Sequence, residues 1–237
     1  MKVATLLELR RVSKDFGGLR ALDAVDLEVS DAHAFWGLIG PNGAGKTTLF
    51  NVVSGVYPPT EGRVVGPAVG AAAEGGGMTL GRTFQHPRVF PSLTVAENML
   101  AVARGMSARQ ARERAIDLLD LVDLTGLAQR RAGELSIGQQ KLVELVRSLM
   151  PRPQLVLLDE VAAGIHPRLT ARIAEYLRVL ADGGVRFLII EHDMKFLMEL
   201  CSRVFVLARG RLIAQGTPDD IRRDPRIAEI YLGTAHA

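Results

Sequence analysis

The sequence is constrained most by a glycine-rich segment that joins an apolar strand to a helix. Residues 40–47, GPNGAGKT, fit the pattern G-x-x-x-x-G-K-[ST]. The strand predicted at Phe35–Ile39 runs directly into this segment, and a helix is predicted at 47–55. Glycine backbones can wrap a phosphate with their N–H groups pointing inward, and the helix beginning near Gly45 adds the positive end of its dipole. Pattern and context together predict a phosphate-binding loop.

The residues of this loop have separate predicted roles. Lys46 can reach the β- and γ-phosphates of a nucleotide, and the hydroxyl of Thr47 can bind Mg²⁺. The predicted nucleotide-binding residues are Gly40, Pro41, Asn42, Gly43, Ala44, Gly45, Lys46, Thr47 and Thr48.

A second apolar strand ends in two acids, Asp159 and Glu160, after Leu155–Leu158. Acids at the carboxyl end of such a strand lie at the mouth of an open α/β sheet, where ligands bind. Asp159 is predicted to bind Mg²⁺, and Glu160 to polarise an attacking water. A solvated turn after a strand would also explain an Asp-Glu pair, but the phosphate-binding loop makes that interpretation less favourable.

Alternating strands and helices predict a parallel α/β sheet. The helical pattern from Thr94 to Met150 interrupts this alternation and predicts an inserted subdomain. Residues 66–77 contain five Gly and four Ala, which favours a flexible loop. The predicted strands are 5–12, 25–29, 35–39, 79–84, 155–158, 187–190, 204–207 and 212–215, and the predicted helices include 108–121, 169–180, 194–200, 219–223 and 225–232.

Composition limits the classes of protein that fit. The 29 Lys and Arg against 26 Asp and Glu give a net charge of +3, which indicates a mildly basic surface. A charge of this size gives no reason to infer a nucleic-acid partner, and none is expected. The single cysteine, Cys201, cannot form an internal disulfide and fits a reducing compartment. No stretch approaches the roughly 18 apolar residues of a membrane span. We therefore expect a cytosolic chain that does any membrane work through partner chains.

A phosphate loop and an acidic strand end also fit a kinase, a GTPase or a recombination ATPase. Residues 135–140, LSIGQQ, narrow the choice because they resemble the signature motif of the ABC transporter ATPases. In that family the motif completes the ATP site of a partner subunit through a hydroxyl, a glycine N–H and a helix N-terminus. The resemblance implies that Leu135, Ser136, Ile137, Gly138 and Gln139 contact ATP in trans. Seen alone, the motif would also fit a helix capped by Ser136.

The resemblance extends to other positions and implies ATP and Mg²⁺ as cofactors. Gln85 resembles the Q-loop glutamine, which reaches Mg²⁺ and touches the membrane partner, and His192 resembles the switch histidine at the γ-phosphate. Phe16 resembles the aromatic residue that stacks on adenine. The implied catalytic residues are Glu160, His192 and Gln85, and the implied Mg²⁺ ligands are Thr47, Gln85 and Asp159.

The family fold is a single ABC ATPase domain, here 1–237, with a RecA-like parallel sheet core of the P-loop NTPase class. The resemblance places the core and its small antiparallel β-subdomain at 5–90 and 151–217. It places the helical signature subdomain at 92–150 and a helical tail at 218–237.

Three positions depart from the family pattern. His166 stands where an aspartate is usual, Val161 where a proline is usual, and Ile137 where a glycine is usual. The first raises a question about communication between two ATP sites, and the second predicts a looser turn after Glu160. Residues 64–81 are short and glycine-rich, so a reduced or mobile β-subdomain is expected.

The segments GRTFQHPRVFPSLTVAENML and GTPDDIRRDPRIAEIYLG resemble the branched-chain amino-acid importer type. That resemblance implies an ATP-hydrolysing subunit at the cytoplasmic face of the membrane. Its implied partners are permeases, a second ABC ATPase (a paralogue or a copy of itself) and, indirectly, a binding protein. A regulatory nucleotide sensor and a soluble ABC ATPase acting on ribosomes or DNA remain alternatives.

Overall fold

The structure is a computed structural model that describes residues 3–66 and 79–227. The strands are β1 Thr5–Phe16, β2 Leu19–Ser30, β3 Phe35–Ile39, β4 Glu61–Val65, β5 Leu80–Arg82, β6 Leu155–Asp159, β7 Arg186–Ile190, β8 Arg203–Ala208 and β9 Arg211–Gly216. The α-helices are α1 Lys46–Val53, α2 Val95–Leu100, α3 Ala108–Leu121, α4 Ile137–Ser148, α5 Pro167–Asp182, α6 Met194–Leu200 and α7 Pro218–Arg223.

The larger sheet has six strands in the order β5-β6-β7-β3-β8-β9. All neighbouring pairs are parallel except β8 and β9, which form an antiparallel hairpin. Strands β3 and β6 flank β7, so their carboxyl ends meet at one edge of the sheet. The predicted phosphate loop follows β3 and the acids end β6, and the topology therefore brings them to the same edge.

The smaller sheet is antiparallel, with the order β2-β1-β4. Strands β1 and β2 form a long hairpin whose last pair is Phe16 and Leu19, so both strands are longer than the sequence pattern predicted. The turn between them uses Gly17 at a φ of 57°, a conformation that glycine adopts without steric cost. Alternation of apolar residues stops before the turn, which is why the pattern missed the strand ends.

Alternating side chains of the large sheet divide the core into two clusters. Leu155, Leu157, Leu188 and Leu38 face the antiparallel sheet and α1. The side chains on the other face pack against α3 to α6, as Val156, Leu158, Phe187 and Ile189 do. The sheet is therefore covered on both faces, which explains the continuous apolar runs of its strands.

The helical block from 94 to 150 contains α2, α3 and α4 joined by turns. Each of the three helices begins with a capping box, in which the N-cap side chain and the third helical side chain satisfy each other's backbone N–H groups. The apolar stripe of α4 is buried, as its spacing predicted. Among the described residues, none of the helices has the length and apolar composition of a membrane-spanning helix.

Some predictions fall wholly or partly on residues that the structure does not describe. Of the predicted loop 66–77 only Gly66 is described, and of the predicted helix 225–232 only 225–227, which are helical. Strand β4 pairs with β1, so the antiparallel sheet has at least this third strand next to the undescribed segment. The predicted strand 79–84 is shorter, at Leu80–Arg82, and the predicted helix 169–180 is longer, because α5 begins at Pro167.

Candidate nucleotide-binding site

A cleft of about 760 Å³ opens at the edge of the sheet where β3 and β6 end. The residues lining it come from the phosphate loop, the segments after β5 and β7, the acidic turn and two hairpins. They are Leu19, Arg20, Ala21, Asn42, Gly43, Ala44, Gly45, Lys46, Thr47, Thr48, Gln85, Glu160, His192, Arg209 and Gly210. The cleft therefore joins both parts of the site that the sequence predicted.

The loop from Gly40 to Gly45 contains glycines in backbone conformations that residues with a side chain rarely adopt. Gly45 has a φ of 104°, and a Cβ there would lie 2.6 Å from the carbonyl oxygen of Ala21. Helix α1 begins immediately afterwards, and its first turn has no side-chain cap. Its N–H groups therefore remain available, as an anion-binding helix N-terminus requires. The loop fits a phosphate group.

Lys46 is buried, and its Nζ donates hydrogen bonds to the carbonyl oxygens of Gly40, at 2.7 Å, and Pro41, at 3.0 Å. Burial lowers the pKa of this ammonium group, and the charges of Glu160 and Asp159 oppose the shift. An ammonium group has three protons, so one remains for a phosphate oxygen.

Asp159 ends β6 as a buried carboxylate, and its backbone N–H donates to Oγ1 of Thr83. Burial raises the pKa of this carboxyl, while the guanidinium of Arg82, 4.0 Å away, acts against the shift. Among the described residues no three Asp, Glu, His or Cys side chains form a group that could hold a metal. One carboxylate and the hydroxyl of Thr47 fit Mg²⁺, an ion usually bound by one or two carboxylates together with substrate phosphates and water.

The side chain of Glu160 contacts those of Gln85 and His192, the other two predicted catalytic residues. Its Oε2 accepts a hydrogen bond from Nε2 of Gln85 at 2.9 Å, and its Oε1 lies 3.0 Å from Nε2 of His192. The backbone of Glu160 is in the left-handed region, with a φ of 51°. Its N–H donates to the carbonyl of Ile190 and thereby ties the acidic turn to β7.

Phe16 is placed differently from the other predicted site residues. It does not line the cleft, and its ring contacts Tyr57 edge to face at 5.3 Å, with the ammonium of Lys14 over both rings. Phe16 is 41% exposed and lies at the surface of the protein. The structure therefore does not bring Phe16 together with the phosphate loop.

A family model described as ABC transporter matches residues 22–163, which is more than half of the chain. The chain belongs to the ABC transporter family. A second model, for branched-chain amino acid ATP-binding cassette transporters, matches residues 211–237. The resemblance drawn from the sequence motifs is thereby confirmed.

Known members of the ABC transporter family resemble the chain over almost its full length. The high-affinity branched-chain amino acid transport ATP-binding protein BraF of Pseudomonas aeruginosa is 37% identical, with 97% of this chain and 98% of BraF covered. LivG of Escherichia coli K12, which carries the same description, is 36% identical at the same coverage.

The fold agrees with crystal structures of ABC cassettes. One in its ADP conformation is 34% identical with a TM-score of 0.83, and 97% of this chain and 99% of that chain are covered. A dimeric cassette bound to ADP and phosphate is 25% identical with a TM-score of 0.78, and 90% and 99% are covered. These comparisons confirm the α/β fold of a P-loop ABC domain.

The signature motif of this ABC cassette lies outside the cleft of its own chain. Ser136 is exposed and caps α4, since its hydroxyl accepts from the N–H of Gln139. Leu135 is buried, Ile137 is 56% exposed, and a Cβ on Gly138 would lie 2.6 Å from a methyl of Leu169. The helix-cap interpretation of Ser136 is thus correct, and it leaves the N-terminus of α4 facing away from the core.

Two departures from the family pattern have simple structural roles. His166 caps α5, because its Nδ1 accepts from the N–H of Arg168 at 3.2 Å. Val161 is buried, and the turn around it is closed by a hydrogen bond from the N–H of Ala163 to the carbonyl of Glu160. The looser turn expected from the missing proline stays a prediction.

Sequence reasoning missed Leu19, Arg20 and Ala21 and the hairpin residues Arg209 and Gly210 as cleft residues. Gly210 has a φ of 75°, and the backbone N–H of Asp23 donates to its carbonyl. An Arg-Gly pair between two apolar strands signals a turn. The sequence carries no signal that this turn meets the β1–β2 hairpin at the cleft.

Proposed function

We propose that this cassette binds and hydrolyses ATP to power an importer for branched-chain or related polar amino acids. The main support for this proposal is the position of the Glu160 carboxylate, which is held between Gln85 and His192 beside the phosphate loop. The substrate class is supported by the names of BraF and LivG and by the family model matching residues 211–237.

Each side chain of the cleft has its own role in ATP hydrolysis. When bound, ATP supplies the phosphoanhydride bond that is cleaved, and Mg²⁺ supplies positive charge that stabilises the cleavage. The loop N–H groups and Lys46 bind and orient the phosphates, while Thr47, Asp159 and Gln85 hold the ion. Glu160 polarises the attacking water, and Gln85 and His192 keep its carboxylate directed into the cleft.

A second cassette completes the site in this proposal. Ser136 and Gly138 lie at the N-terminus of α4, outside the cleft of their own chain. The cap formed by Ser136 uses the N–H of Gln139, so earlier N–H groups of α4, such as that of Gly138, are left for a γ-phosphate held by another subunit. The dimeric cassette with the same fold supports this arrangement, in which the second subunit is a paralogue or a copy of this chain.

The permeases dock, in this proposal, on the segment from Gln85 to Glu97. His86 and Phe90 are exposed there, and Gln85 joins the same segment to Glu160. Docking would place the cassette at the cytoplasmic face of the membrane and connect it to a substrate-binding protein only through the permeases. No nucleic-acid partner is proposed.

Affinity purification of the tagged chain from native membranes tests the proposal. Two permeases and a second ABC ATPase are expected to co-purify, and the tagged complex should hydrolyse Mg·ATP. Recovery of soluble partners alone would support the alternative of a soluble ABC ATPase acting on ribosomes or DNA. A chain that binds ATP without turnover in the presence of its permeases would support the sensor alternative.

A further inference from the structure

Helix α4 carries two buried charged side chains of opposite sign, one turn apart. Lys141 is 4% exposed and Glu144 is 2% exposed. Charged side chains are rarely this buried unless their polar atoms are bonded, so each needs a specific partner. Both partners are backbone groups of loops that lie beside the nucleotide cleft.

Lys141 binds the turn that carries Glu160. Its Nζ donates to the carbonyl oxygens of Glu160 and Ala163, each at 2.7 Å. Glu160 is in the left-handed region, which non-glycine residues occupy only when their surroundings enforce it. The ammonium fixes the peptide group that follows this strained residue, and with it the direction of the Glu160 side chain.

Glu144 binds the segment that carries Gln85. Its carboxylate accepts hydrogen bonds from the N–H groups of Phe84, at 3.1 Å, and Arg88, at 2.7 Å. Burial raises the pKa of this carboxyl, and the two N–H donors and the nearby guanidinium of Arg147 oppose the shift. Gln85 lies between the two residues held in this way.

Helix α4 therefore holds both the turn that carries Glu160 and the segment that carries Gln85, whose side chains meet in the cleft. We propose that Lys141 and Glu144 are positioning residues for ATP hydrolysis, because they set the contact between Gln85 and Glu160 at 2.9 Å. This inference rests on the proposed ATPase function. The N-terminus of the same helix carries the exposed Ser136, so a shift of α4 would reach both ATP sites of a dimer.

The test compares Lys141→Met and Glu144→Gln with the wild-type full-length chain. Phosphate release gives kcat and KM, a fluorescent ATP analogue gives the affinity, and thermal unfolding gives the stability. We expect kcat to fall by about 10-fold or more, the effect of losing a hydrogen bond to a charged group, with KM and affinity within about twofold. Lys141→Arg, which keeps the donors, should recover most of the activity.

Arg114→Met is the matched control for a merely structural effect. Arg114 is also a partly buried cation, and it donates to the carbonyls of Leu149 and Met150 just beyond the C-terminal end of α4, away from the cleft residues. This variant should lower the thermal midpoint and leave kcat unchanged. Equal loss of kcat in Arg114→Met and Lys141→Met, or wild-type kcat in Lys141→Met, would overturn the proposal.

Two further measurements separate the possible failures. If Lys141 acts through Glu160, then adding Lys141→Met to Glu160→Gln should cause no further loss of the single-turnover rate, and additive losses would contradict this. If Lys141→Met does not fold, the positioning role is tested with Glu144→Gln, which preserves the shape of the side chain.

A wild-type chain that does not hydrolyse ATP in its assembled complex would refute the ATPase function itself, not the positioning roles alone.

Discussion

The side-chain amide of Gln85 donates a hydrogen bond to the Glu160 carboxylate over 2.9 Å, although 75 positions separate the two residues in the sequence. Replacing Gln85 with alanine removes one of the two side-chain contacts that direct this carboxylate. We expect kcat to fall by about 10- to 100-fold, the range for a hydrogen bond to a charged group. The affinity for Mg·ATP should fall less than kcat, because the phosphate loop, Thr47 and Asp159 are unchanged. Steady-state kinetics check this, with Gln215→Ala, an exposed residue outside the cleft, as the control. An unchanged kcat would remove Gln85 from the mechanism.

Gly45→Ala should abolish nucleotide binding. The added Cβ would meet the carbonyl of Ala21 at 2.6 Å, and the φ of 104° is itself strained for alanine. We expect a loss of about 2 kcal/mol or more in the free energy of unfolding, together with lost ATP affinity. Gly105→Ala is the control, because Gly105 has a φ of 70° but open space around it. It should cost about 1 kcal/mol for the strained backbone alone and leave ATP binding intact. Isothermal titration and chemical unfolding measure both quantities.

Glu191 should make stability depend on pH. Burial raises its pKa to about 7 from 4.5, although its carboxylate accepts a hydrogen bond from the N–H of Ala162 at 2.7 Å. Between pH 4.5 and 7 the folded chain holds this proton more tightly than the unfolded chain. The free energy of unfolding therefore falls as pH rises through this window and levels off above it.

Glu191→Gln tests that dependence, since glutamine keeps an acceptor for Ala162 without the titration. The stability of wild type relative to the variant should fall by up to about 3 kcal/mol between pH 4.5 and 7. Urea unfolding at several pH values measures it. A constant difference across that range would mean that Glu191 does not titrate there.

Phe90→Ala should uncouple transport from hydrolysis. Phe90 is 46% exposed, and the guanidinium of Arg147 lies over its ring, 5.0 Å from the ring centre. The backbone N–H of Phe90 donates to Oδ1 of Asn98. Removing the ring leaves the Gln85–Glu160 contact in place. We expect transport in reconstituted vesicles to fall several-fold while the basal ATPase rate of the isolated chain persists, because hot-spot aromatic residues dominate interfaces. Loss of both activities would indicate a folding effect.

The sequence predicted the parts of the site that depend on local chain geometry. The strand, loop and helix from Phe35 to Val53 appear where the pattern placed them, because glycine and lysine positions in such a loop are fixed by backbone contacts to a phosphate. The acids at the end of β6 were predicted for a second local reason. A buried strand can change to charged residues only where it reaches the edge of the sheet.

What the sequence did not predict depends on contacts between distant segments. Lys141 and Glu144 lie on the buried face of α4, but their charge gives no sign of burial because the backbone groups that pair with them belong to loops far along the chain. The place of Phe16 depends on its contact with Tyr57, which lies beyond the phosphate loop. Hydrophobic periodicity reports neither kind of contact.

The role of Glu160 as the residue that activates water is tested by the hydrolysis rate of Glu160→Gln, measured together with its ATP affinity. Glutamine preserves the size of the side chain and leaves the phosphate loop intact, so affinity should stay within about twofold. The rate should fall by about 100-fold or more, because glutamine cannot act as a general base, and the ATP-bound variant should accumulate as a dimer by size-exclusion chromatography. Hydrolysis at the wild-type rate would contradict the role of Glu160 and the account of the cleft built on it.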